Sequence, residues 1–405
     1  MSKAKHYDVL IVGGGLAGLG MAAGLANLPI RVALLEAGSL EANWPALGEG
    51  VADYDPRVSA ITHASQQWLA KLGAWESISQ SRVCSYTDML VWDAEGTGEI
   101  HFQAQEVNAD SLGHIIENRL IVAALAERVA EAANIHCFAN SPVAHMGYAG
   151  GAARLLLENG KQLEADLLIA ADGANSRIRQ WADFKTREWD YGQQAIVTTV
   201  KMANSHNFTA WQRFLPQGPL AFLPLAATDA ADHYCSIVWS ADADYAAELM
   251  ALDDTAFSAA LARAFELRLG AVEAVSRRFS FPLRQRHAVD YIKPGIALIG
   301  DAAHSIHPLA GQGINLGFKD AAALQDEIRR AIEHGGPLGS EAMLGRYQRR
   351  RKGDNLSMMA AMDGFKRLFA QQDLPVRWLR NTGMRWLNDI APLKRQLIRR
   401  AMGLS

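Results

Sequence analysis

The stretch that decides the fold is residues 7–38, YDVLIVGGGLAGLGMAAGLANLPIRVALLEAG. It predicts a buried strand, a glycine turn, a helix of small residues and a second strand that ends at Glu36. In Gly13-x-Gly15-x-x-Gly18, the first glycine makes the turn, the second lets backbone approach a diphosphate, and the third lets the helix pack on the strand. Glu36 is spaced to accept hydrogen bonds from an adenosine ribose. The stretch predicts a dinucleotide site, with FAD and NAD not yet distinguished.

Two other interpretations of this stretch are open. Residues 9–28 carry no charge, and their length suits a membrane span or the apolar part of a signal peptide. The clustered glycines between a β-branched run and a small-residue helix favour the strand, turn and helix instead. A plain glycine turn between two core elements would leave the acid at the end of RVALLE unexplained.

The length of 405 residues indicates two or three folding units. A net charge of -3 argues against nucleic acid as the main partner. The three cysteines, Cys84, Cys137 and Cys235, are too scattered for a disulfide framework, and none has zinc-ligand spacing. We therefore expect a reduced, cytoplasmic chain without a metal.

Two later loops also follow buried strands. In ADLLIAADGANSRIR, residues 165–179, the strand ends in Asp172-Gly173, and in LIGDAAHSIHPLAGQGINLG, residues 298–317, it ends in Gly300-Asp301. With the first motif, in this order and at these separations, they resemble the FAD-dependent aromatic hydroxylases, the family of para-hydroxybenzoate hydroxylase. The resemblance covers nearly the whole chain.

The resemblance chooses FAD over NAD and implies roles for the later loops. Asp172 and Gly173 would contact the cofactor, and Asp301 would bond hydroxyls of a ribityl chain, which NAD lacks. Pro308 fixes a turn without offering an N–H group, and Gly311 would let main chain lie against the flavin ring. A loop and helix without a ligand is the alternative.

The helix that follows this loop would direct its N–H groups at the ring edge, with Gly313 against the flavin and Asn315 near the helix start. His304 and His307 are expected to satisfy backbone groups more often than to act in catalysis. The catalytic residue is unknown, and Pro308 and His304 are the candidates in the flavin loop.

Two further segments resemble cofactor-contacting parts of the family. In DPRVSAITHAS, residues 55–65, Arg57 would lie beside the FAD diphosphate, where a guanidinium binds phosphate well, or would form a surface ion pair with Asp55. In GHIIENRLIVAALAERV, residues 113–129, Asn118 matches the amide that contacts the cofactor, and Arg128 is a weaker candidate.

Residues 183–282 alternate in apolar character, as in AWQRFLPQGPLAFLPL at 210–225, and predict antiparallel strands. In the family, this sheet covers the substrate. The large apolar residues of 211–239 suit a ring with a long apolar tail, or they are plain sheet core. The stretches quoted above at 55–65, 113–129, 210–225 and 298–317, together with RYQRRRKGDN at 346–355, resemble the ubiquinone-biosynthesis hydroxylases, nearest the demethoxyubiquinone hydroxylase subgroup.

The implied fold is α/β, an FAD-binding Rossmann-like (GR2-type) domain with an interleaved antiparallel β-sheet substrate domain and C-terminal helices. The implied divisions are 1–74, 106–182 and 283–350 for the FAD-binding domain, 75–105 and 183–282 for the substrate domain, and 351–405 for the C-terminal helical segment.

The implied function is a monooxygenase that hydroxylates the ring of a prenylated phenol or quinol through a flavin C4a-hydroperoxide. It uses FAD and O2, with NAD(P)H as a transient electron donor, and a different electron donor is the alternative. Another FAD-dependent oxidoreductase of the same fold and an FAD-retaining scaffold subunit of a quinone-synthesis complex are the alternatives. Other ubiquinone-synthesis proteins and a second copy of the chain are compatible partners.

The tail is basic and amphipathic, and its cations face only Asp389 among acids. Those cations are Arg377, Arg380, Arg385, Lys394, Arg395, Arg399 and Arg400. The pattern predicts peripheral contact of residues 376–405 with the inner membrane surface, or a helical hairpin packed on protein.

Overall fold

The computed structural model describes residues 4–149, 152–227, 232–305, 313–370, 381–384, 386 and 388–404. The strands are β1 (Lys5–Val12), β2 (Val32–Leu35), β3 (Val58–Ile61), β4 (Val83–Tyr86), β5 (Asp88–Asp93), β6 (Glu99–Gln103), β7 (Gly113–Glu117), β8 (Ile135–Phe138), β9 (Val143–Ala149), β10 (Ala152–Leu157), β11 (Gln162–Ala170), β12 (Thr186–Met202), β13 (Thr209–Leu215), β14 (Gly218–Pro224), β15 (Tyr234–Asp242), β16 (Val272–Val275), β17 (Phe279–Ala288), β18 (Ile292–Lys293), β19 (Ile296–Leu298) and β20 (His304–Ser305).

The helices are α1 (Leu16–Gly24), α2 (His63–Lys71), α3 (Trp75–Ser79), α4 (Asn118–Ala130), α5 (Arg177–Trp181), α6 (Ala243–Ala251), α7 (Asp254–Ala264), α8 (Gly313–Glu333), α9 (Glu341–Ala370) and a C-terminal helix, Ala391–Ala401. Single 3-10 turns occupy Val51–Asp53, Ala104–Val107 and Gly300–Ala302. No helix among the described residues is both long and apolar enough to cross a bilayer.

The first sheet has the strand order β18-β19-β11-β1-β2-β8, and its five strands from β19 to β8 run parallel. Its central strands are apolar along their whole length, as in VALL of β2, because they are buried on both faces. The hairpin of β9 and β10 extends the sheet by antiparallel pairing with β11. Residues 9–28 therefore form a strand, a turn and a helix.

The second sheet has the order β20-β17-β12-β15-β14-β13-β5-β6, with β16 on β12. Its pairings are antiparallel, except that β13 runs parallel to β5. One face is covered by α6 and α7, which bury Trp239 of β15 and Phe222 of β14. The mixed α/β fold with an antiparallel sheet agrees with the fold class predicted from sequence.

A third, small sheet of β3, β7 and β4 packs against the other face of the second sheet. Its Ala60, Cys84 and Ile115 share a core with Ala221 and Leu223 of β14. Residues 88–103 and 186–288 thus supply nearly all of the second sheet, whereas residues 83–86 lie in the third. The domain divisions named above stay a prediction.

The C-terminal helix packs by one side only. Ile398 and Met402 are buried against Ala104 and Leu112, and Lys394 pairs with Glu106 at 2.7 Å. Several predicted residues lie outside the described part of the chain: His307, Pro308, Gly311, Arg377, Arg380 and Arg385.

Candidate functional site

The three predicted loops meet at one edge of the first sheet. Strands β19, β11, β1 and β2 are parallel neighbours, and Leu298, Ala170, Val12 and Leu35 are register partners at their carboxyl ends. The turns that follow these strands therefore lie side by side, which is where parallel α/β sheets bind their ligands.

The first turn is shaped by glycines. Gly13 has a φ of +111°, and a Cβ there would meet the carbonyl oxygen of Ala171 at 2.3 Å. A Cβ on Gly18 would lie 1.9 Å from the carbonyl oxygen of Gly13, so the missing side chain lets α1 pack on the turn. At Gly15, the N-cap of α1, a Cβ would meet nothing within 4 Å. Open space beside a helix N-terminus suits an anion such as a diphosphate.

Glu36 lies beside the first turn. Its carboxylate accepts hydrogen bonds from the backbone N–H groups of Gly14, at 2.5 Å, and Gly38, at 2.9 Å. A carboxylate has about four lone-pair sites, so this arrangement leaves acceptor capacity for ribose hydroxyls.

Asp172 and Gly173 form the second turn. Asp172 Oδ2 accepts from the N–H of Ile178 at 3.2 Å, whereas its buried Oδ1 has no hydrogen-bond partner within the described chain. Burial raises the pKa of Asp172, and hydrogen bonds from Ser176 and nearby backbone oppose this. Gly173 has a φ of +79° with open space at its Cβ position. An unpartnered buried oxygen beside open space is typical of a ligand site.

Gly300 and Asp301 form the third turn. Gly300 has a φ of +56°, and a Cβ there would lie 3.0 Å from the Cβ of Ala17 in α1. The Asp301 side chain is accessible to solvent, although protein atoms surround it closely. Desolvation raises the pKa of its carboxyl, and the charges of His304 and Arg57 lower it. The third turn therefore places the Asp301 carboxylate near the Arg57 guanidinium.

Arg57 projects toward the second sheet. Its guanidinium lies 5.9 Å from the ring centroid of Phe281 in β17, and no described carboxylate is within ion-pair distance. Asp55 accepts instead from the backbone N–H groups of Arg57, at 2.9 Å, and Arg119, at 3.3 Å. The alternative of an Arg57–Asp55 ion pair is not found among the described residues.

Asn118 begins α4 close to Arg57. Its N–H donates to the carbonyl oxygen of Arg57 at 2.9 Å, and its Oδ1 accepts from the Ser59 hydroxyl at 2.7 Å. Arg128, in the last turn of α4, pairs with Glu131 at 2.5 Å.

Asn315 and Gly313 open α8, which follows the third loop. Asn315 is buried, accepts from the N–H of Thr62 at 3.0 Å, and donates to the carbonyl oxygen of Ala60 at 2.7 Å. Its amide thus holds α8 against β3 and α2. His304 is also buried, with its Nε2 2.5 Å from Asp320 Oδ2.

The second sheet has an apolar face opposite α6 and α7, and Phe281 on this face lies beside Arg57. Val197, Val238 and Phe281 lie on the face opposite α6 and α7 and are not fully buried. Trp211, Phe222 and Trp239 pack instead in the core under these helices. The aromatic richness of 211–239 is therefore sheet core, as the second interpretation held.

Two buried charge clusters escaped the sequence analysis. Glu117 accepts from Arg82, at 3.0 Å, and from the N–H of Asp55, at 2.7 Å, and so holds the segment that carries Arg57. Asp320 joins His304 to Arg351. The only sequence signal was a charged residue within an apolar pattern, as Asp320 is in LGFKDAAAL. No group of three or more metal-ligating side chains occurs among the described residues.

Comparisons with known proteins agree with this geometry. Residues 6–359 match the FAD binding domain family. The 3-demethoxyubiquinol 3-hydroxylase of Escherichia coli K12 is 36% identical over 397 residues, which cover 98% of each chain. The mitochondrial ubiquinone biosynthesis monooxygenase COQ6 of Xenopus tropicalis is 36% identical, covering 97% of this chain and 92% of the relative.

Among solved structures, p-nitrophenol 4-monooxygenase PnpA from Pseudomonas putida DLL-E4 superposes with a TM-score of 0.78 at 18% identity, covering 98% of both chains. PqsL from Pseudomonas aeruginosa, described as a probable FAD-dependent monooxygenase, gives a TM-score of 0.76 at 21% identity, covering 94% of this chain and 99% of that one. These two likenesses establish the fold. The sequence matches establish the family: the chain belongs to the FAD binding domain family, in the branch of the ubiquinone-biosynthesis hydroxylases.

Proposed function

We propose that this chain is an FAD-dependent monooxygenase that hydroxylates the aromatic ring of a prenylated phenol or quinol in ubiquinone biosynthesis. The observation that carries the proposal is that the three turns lie side by side at one sheet edge, with open space at Gly15 and Gly173, and that the second sheet has an apolar face. The relatives named above act in the same pathway by their names, which supports this substrate class.

Bound FAD would supply the electron transfer and oxygen chemistry that amino-acid side chains lack. The residues of the three turns would bind it. The first turn, with Gly15, would receive the diphosphate together with Arg57, Glu36 would bind the adenosine ribose, and Asp301 would accept hydrogen bonds from the ribityl chain. The unpartnered oxygen of Asp172 would accept a further hydrogen bond.

The substrate ring would lie between these turns and the surface formed by Val197, Val238 and Phe281. An apolar surface there excludes water and suits a ring that carries a prenyl tail. In the overall reaction, one atom of O2 forms the new ring C–O bond and the other leaves as water, while the ring carbon loses its proton. NAD(P)H supplies the hydride. Because the sequence has a single dinucleotide fingerprint, the donor would bind transiently.

The test starts from the absorption spectrum and released cofactor of the purified chain. NADH oxidation is then followed with and without 2-geranylphenol under ¹⁸O2. We expect released FAD, faster NADH oxidation with the phenol, and a product that gains one ¹⁸O atom. Failure to take up FAD would overturn the site. Stimulated NADH oxidation without labelled product would indicate an oxidase or reductase. Bound FAD that gives no labelled product even when dithionite reduces it before O2 is added would indicate a scaffold.

The FAD contents of two matched variants test whether the third turn binds the cofactor. Asp301→Ala should lose FAD, because it removes the carboxylate of the third turn. Asp290→Ala removes a carboxylate that pairs with Lys352 at the surface, and it should retain FAD. Equal FAD contents in the two variants would argue against the role given to Asp301.

We also propose that the C-terminal helix attaches the chain to an anionic membrane surface, where a prenylated substrate is dissolved. This helix buries Ile398 and exposes Leu393, Arg395, Arg399 and Arg400. Trp386, just before the helix, is 70% exposed. Arginines beside exposed apolar side chains complement anionic headgroups, and in a chain of net charge -3 this attraction must be local.

Vesicle co-sedimentation of the full chain tests this attachment. Phosphatidylcholine vesicles are compared with and without phosphatidylglycerol. We expect binding that needs phosphatidylglycerol and is lost when Arg395, Arg399 and Arg400 are changed to Glu. The control changes three exposed arginines elsewhere to Glu, namely Arg329, Arg330 and Arg349. Equal binding by both triple variants, or none by the wild type, would overturn the attachment.

A further inference from the structure

A buried polar cluster lies behind the third turn, centred on Asp320 of α8. Its carboxylate accepts four hydrogen bonds, two at each oxygen. Oδ2 accepts from the N–H of Gly300, at 3.1 Å, and from His304 Nε2, at 2.5 Å. Oδ1 accepts from Arg351 Nε, at 2.8 Å, and Asn355 Nδ2, at 3.2 Å. We call these five residues the Asp320 cluster.

The cluster is closed to solvent. Asp320 and Asn355 are 0% exposed, His304 is 2% and Arg351 is 3%. Burial alone would raise the pKa of Asp320, but the His304 and Arg351 partners hold it below its usual value. An ionised carboxylate with four donors is a strongly satisfied arrangement, and removing one partner would leave the others buried and unpaired.

The two donors on Oδ2 flank Asp301 in the chain. Gly300 precedes it in a left-handed conformation, and a Cβ there would crowd Ala17 of α1. His304 follows it in β20, which pairs with His287 of β17. Asp320 therefore fixes both ends of the Gly300–His304 segment, whose only exposed carboxylate is Asp301.

The donors on Oδ1 come from a different element. Arg351 and Asn355 are one turn apart on α9, and Asn355 also reaches the hydroxyl of Tyr291 at 3.2 Å. The Asp320 carboxylate thus connects α9, which follows it in the chain, to the third turn, which precedes it. Gly300 lies 20 residues and His304 lies 16 residues before Asp320.

We propose that Asp320 is a positioning residue for FAD, which holds the Gly300–His304 segment so that the Asp301 carboxylate is fixed at the cofactor. The proposal rests on the FAD site described under Proposed function. Asp320 itself is too deeply buried to contact a ligand, so it acts through Gly300 and His304.

The principal test compares FAD affinity in Asp320→Asn with that in a control. Asn keeps the shape of the side chain but presents an NH2 group to donors that need an acceptor. The control, Glu327→Gln, breaks the pair of Glu327 with Arg346, which joins the same two helices at 2.6 Å without touching the turn. We expect Asp320→Asn to weaken FAD binding about tenfold or more, and Glu327→Gln to change it less than about twofold.

The readouts separate positioning from general stability. FAD binding to the apoprotein is measured by quenching of flavin fluorescence, and thermal unfolding is measured with and without FAD. A purely structural role would lower the melting temperature of both forms equally and leave the Kd unchanged, which would overturn the proposal. A positioning role shrinks the FAD-induced rise in melting temperature, because that rise follows from affinity.

Substitutions at His304 keep the test decisive if Asp320→Asn does not fold. Gln can place an N–H donor where His304 Nε2 lies, whereas Leu cannot. We expect His304→Gln to retain FAD affinity and His304→Leu to lose it to the same extent as Asp320→Asn. Equal affinity in the two His304 variants would contradict the proposal. If the wild type itself does not bind FAD, the proposed function fails instead.

Discussion

At the scale of single residues, two glycines of the first turn are expected to behave in opposite ways. Gly15→Ala adds a methyl group in open space, so the apoprotein should lose less than about 1 kcal/mol, the cost of a poorer N-cap. FAD binding should nevertheless weaken, because the methyl group occupies space assigned to the diphosphate. Gly18→Ala places a Cβ 1.9 Å from the Gly13 oxygen and should destabilise the apoprotein by about 2–3 kcal/mol.

Urea unfolding of the two apoproteins and titration of each with FAD measure the contrast. If Gly15→Ala retains wild-type affinity, the space at Gly15 is not part of the ligand site. If Gly18→Ala is as stable as the wild type, the close approach of α1 to the first turn is not required.

Residues within one turn were predictable from sequence because local chemistry dictates them. The Gly13, Gly15 and Gly18 pattern predicted a strand-turn-helix because it lies between apolar runs and is followed by the acid at Glu36. Glu117 and Asp320 were not predicted as clusters. Arg82 lies 35 residues before Glu117, and Arg351 lies 31 residues after Asp320, so their partners are selected by tertiary packing. A charged residue in an apolar pattern indicates that it has a buried partner, but it does not show which residue that partner is.

At the scale of elements, β7 fixes the segment before β3 through Glu117. Glu117 is 1% exposed, and its carboxylate accepts hydrogen bonds from Arg82, Arg119 and the N–H of Asp55. Glu117→Gln should destabilise the chain by about 3–5 kcal/mol, because it leaves the buried Arg82 without a charged partner. Glu164→Gln removes the exposed Arg154 pair of the first sheet and should cost under about 1 kcal/mol.

Denaturant unfolding of both variants measures this difference. Similar losses in the two would mean that burial of the Glu117 pair adds nothing to its contribution. A second readout is FAD affinity, which should fall in Glu117→Gln because Arg57 follows Asp55 in the segment that Glu117 holds.

The apolar face of the second sheet should contribute to substrate binding at Phe281. Phe281→Ala removes an aromatic surface that is 37% exposed beside Arg57, and it should raise the KM for 2-geranylphenol about tenfold while kcat changes less. Tyr148→Ala removes an aromatic residue of similar exposure, 48%, from the first sheet and should leave the KM unchanged. Steady-state kinetics check both, and equal KM values would remove Phe281 from the site.

The strands in 183–282 were predicted from their alternating pattern. The prediction of strands was wrong for residues 243–264, which form α6 and α7. The pattern also did not show which face of the sheet these helices cover. Trp239 and Val238 are adjacent in sequence, yet Trp239 packs under the helices and Val238 faces the third sheet. Alternation places neighbours on opposite faces without saying which face meets the ligand. That choice depends on where α6 and α7 pack, which is a property of the assembled chain.

At the scale of the whole molecule, buried histidines make the free energy of unfolding depend on pH. Burial lowers the pKa of His206, and it lowers the pKa values of two others further. Burial, with the nearby His63, lowers the pKa of His114 in β7 to about 4. Burial, with the charges of His304, Lys352 and Arg187, lowers the pKa of His287 in β17 to about 4. Unfolding returns each pKa to about 6.5, so between these values the unfolded chain binds more protons than the folded one.

The free energy of unfolding should therefore fall as the pH drops from about 6.5 toward 4, by the order of 2 kcal/mol per histidine near pH 5. Asp172 and Asp301, whose pKa values are raised, bind protons more readily in the folded state and oppose this fall at the acid end. The double variant His114→Asn with His287→Gln should make the profile shallower, because neither replacement titrates, and His206 should account for part of the slope that is left. Replacing the exposed His136 and His334 in the same way is the control, and it should leave the profile steep because His114 and His287 are retained. Urea unfolding across this pH range decides the matter: equal slopes in the two double variants would mean that the acid sensitivity arises elsewhere.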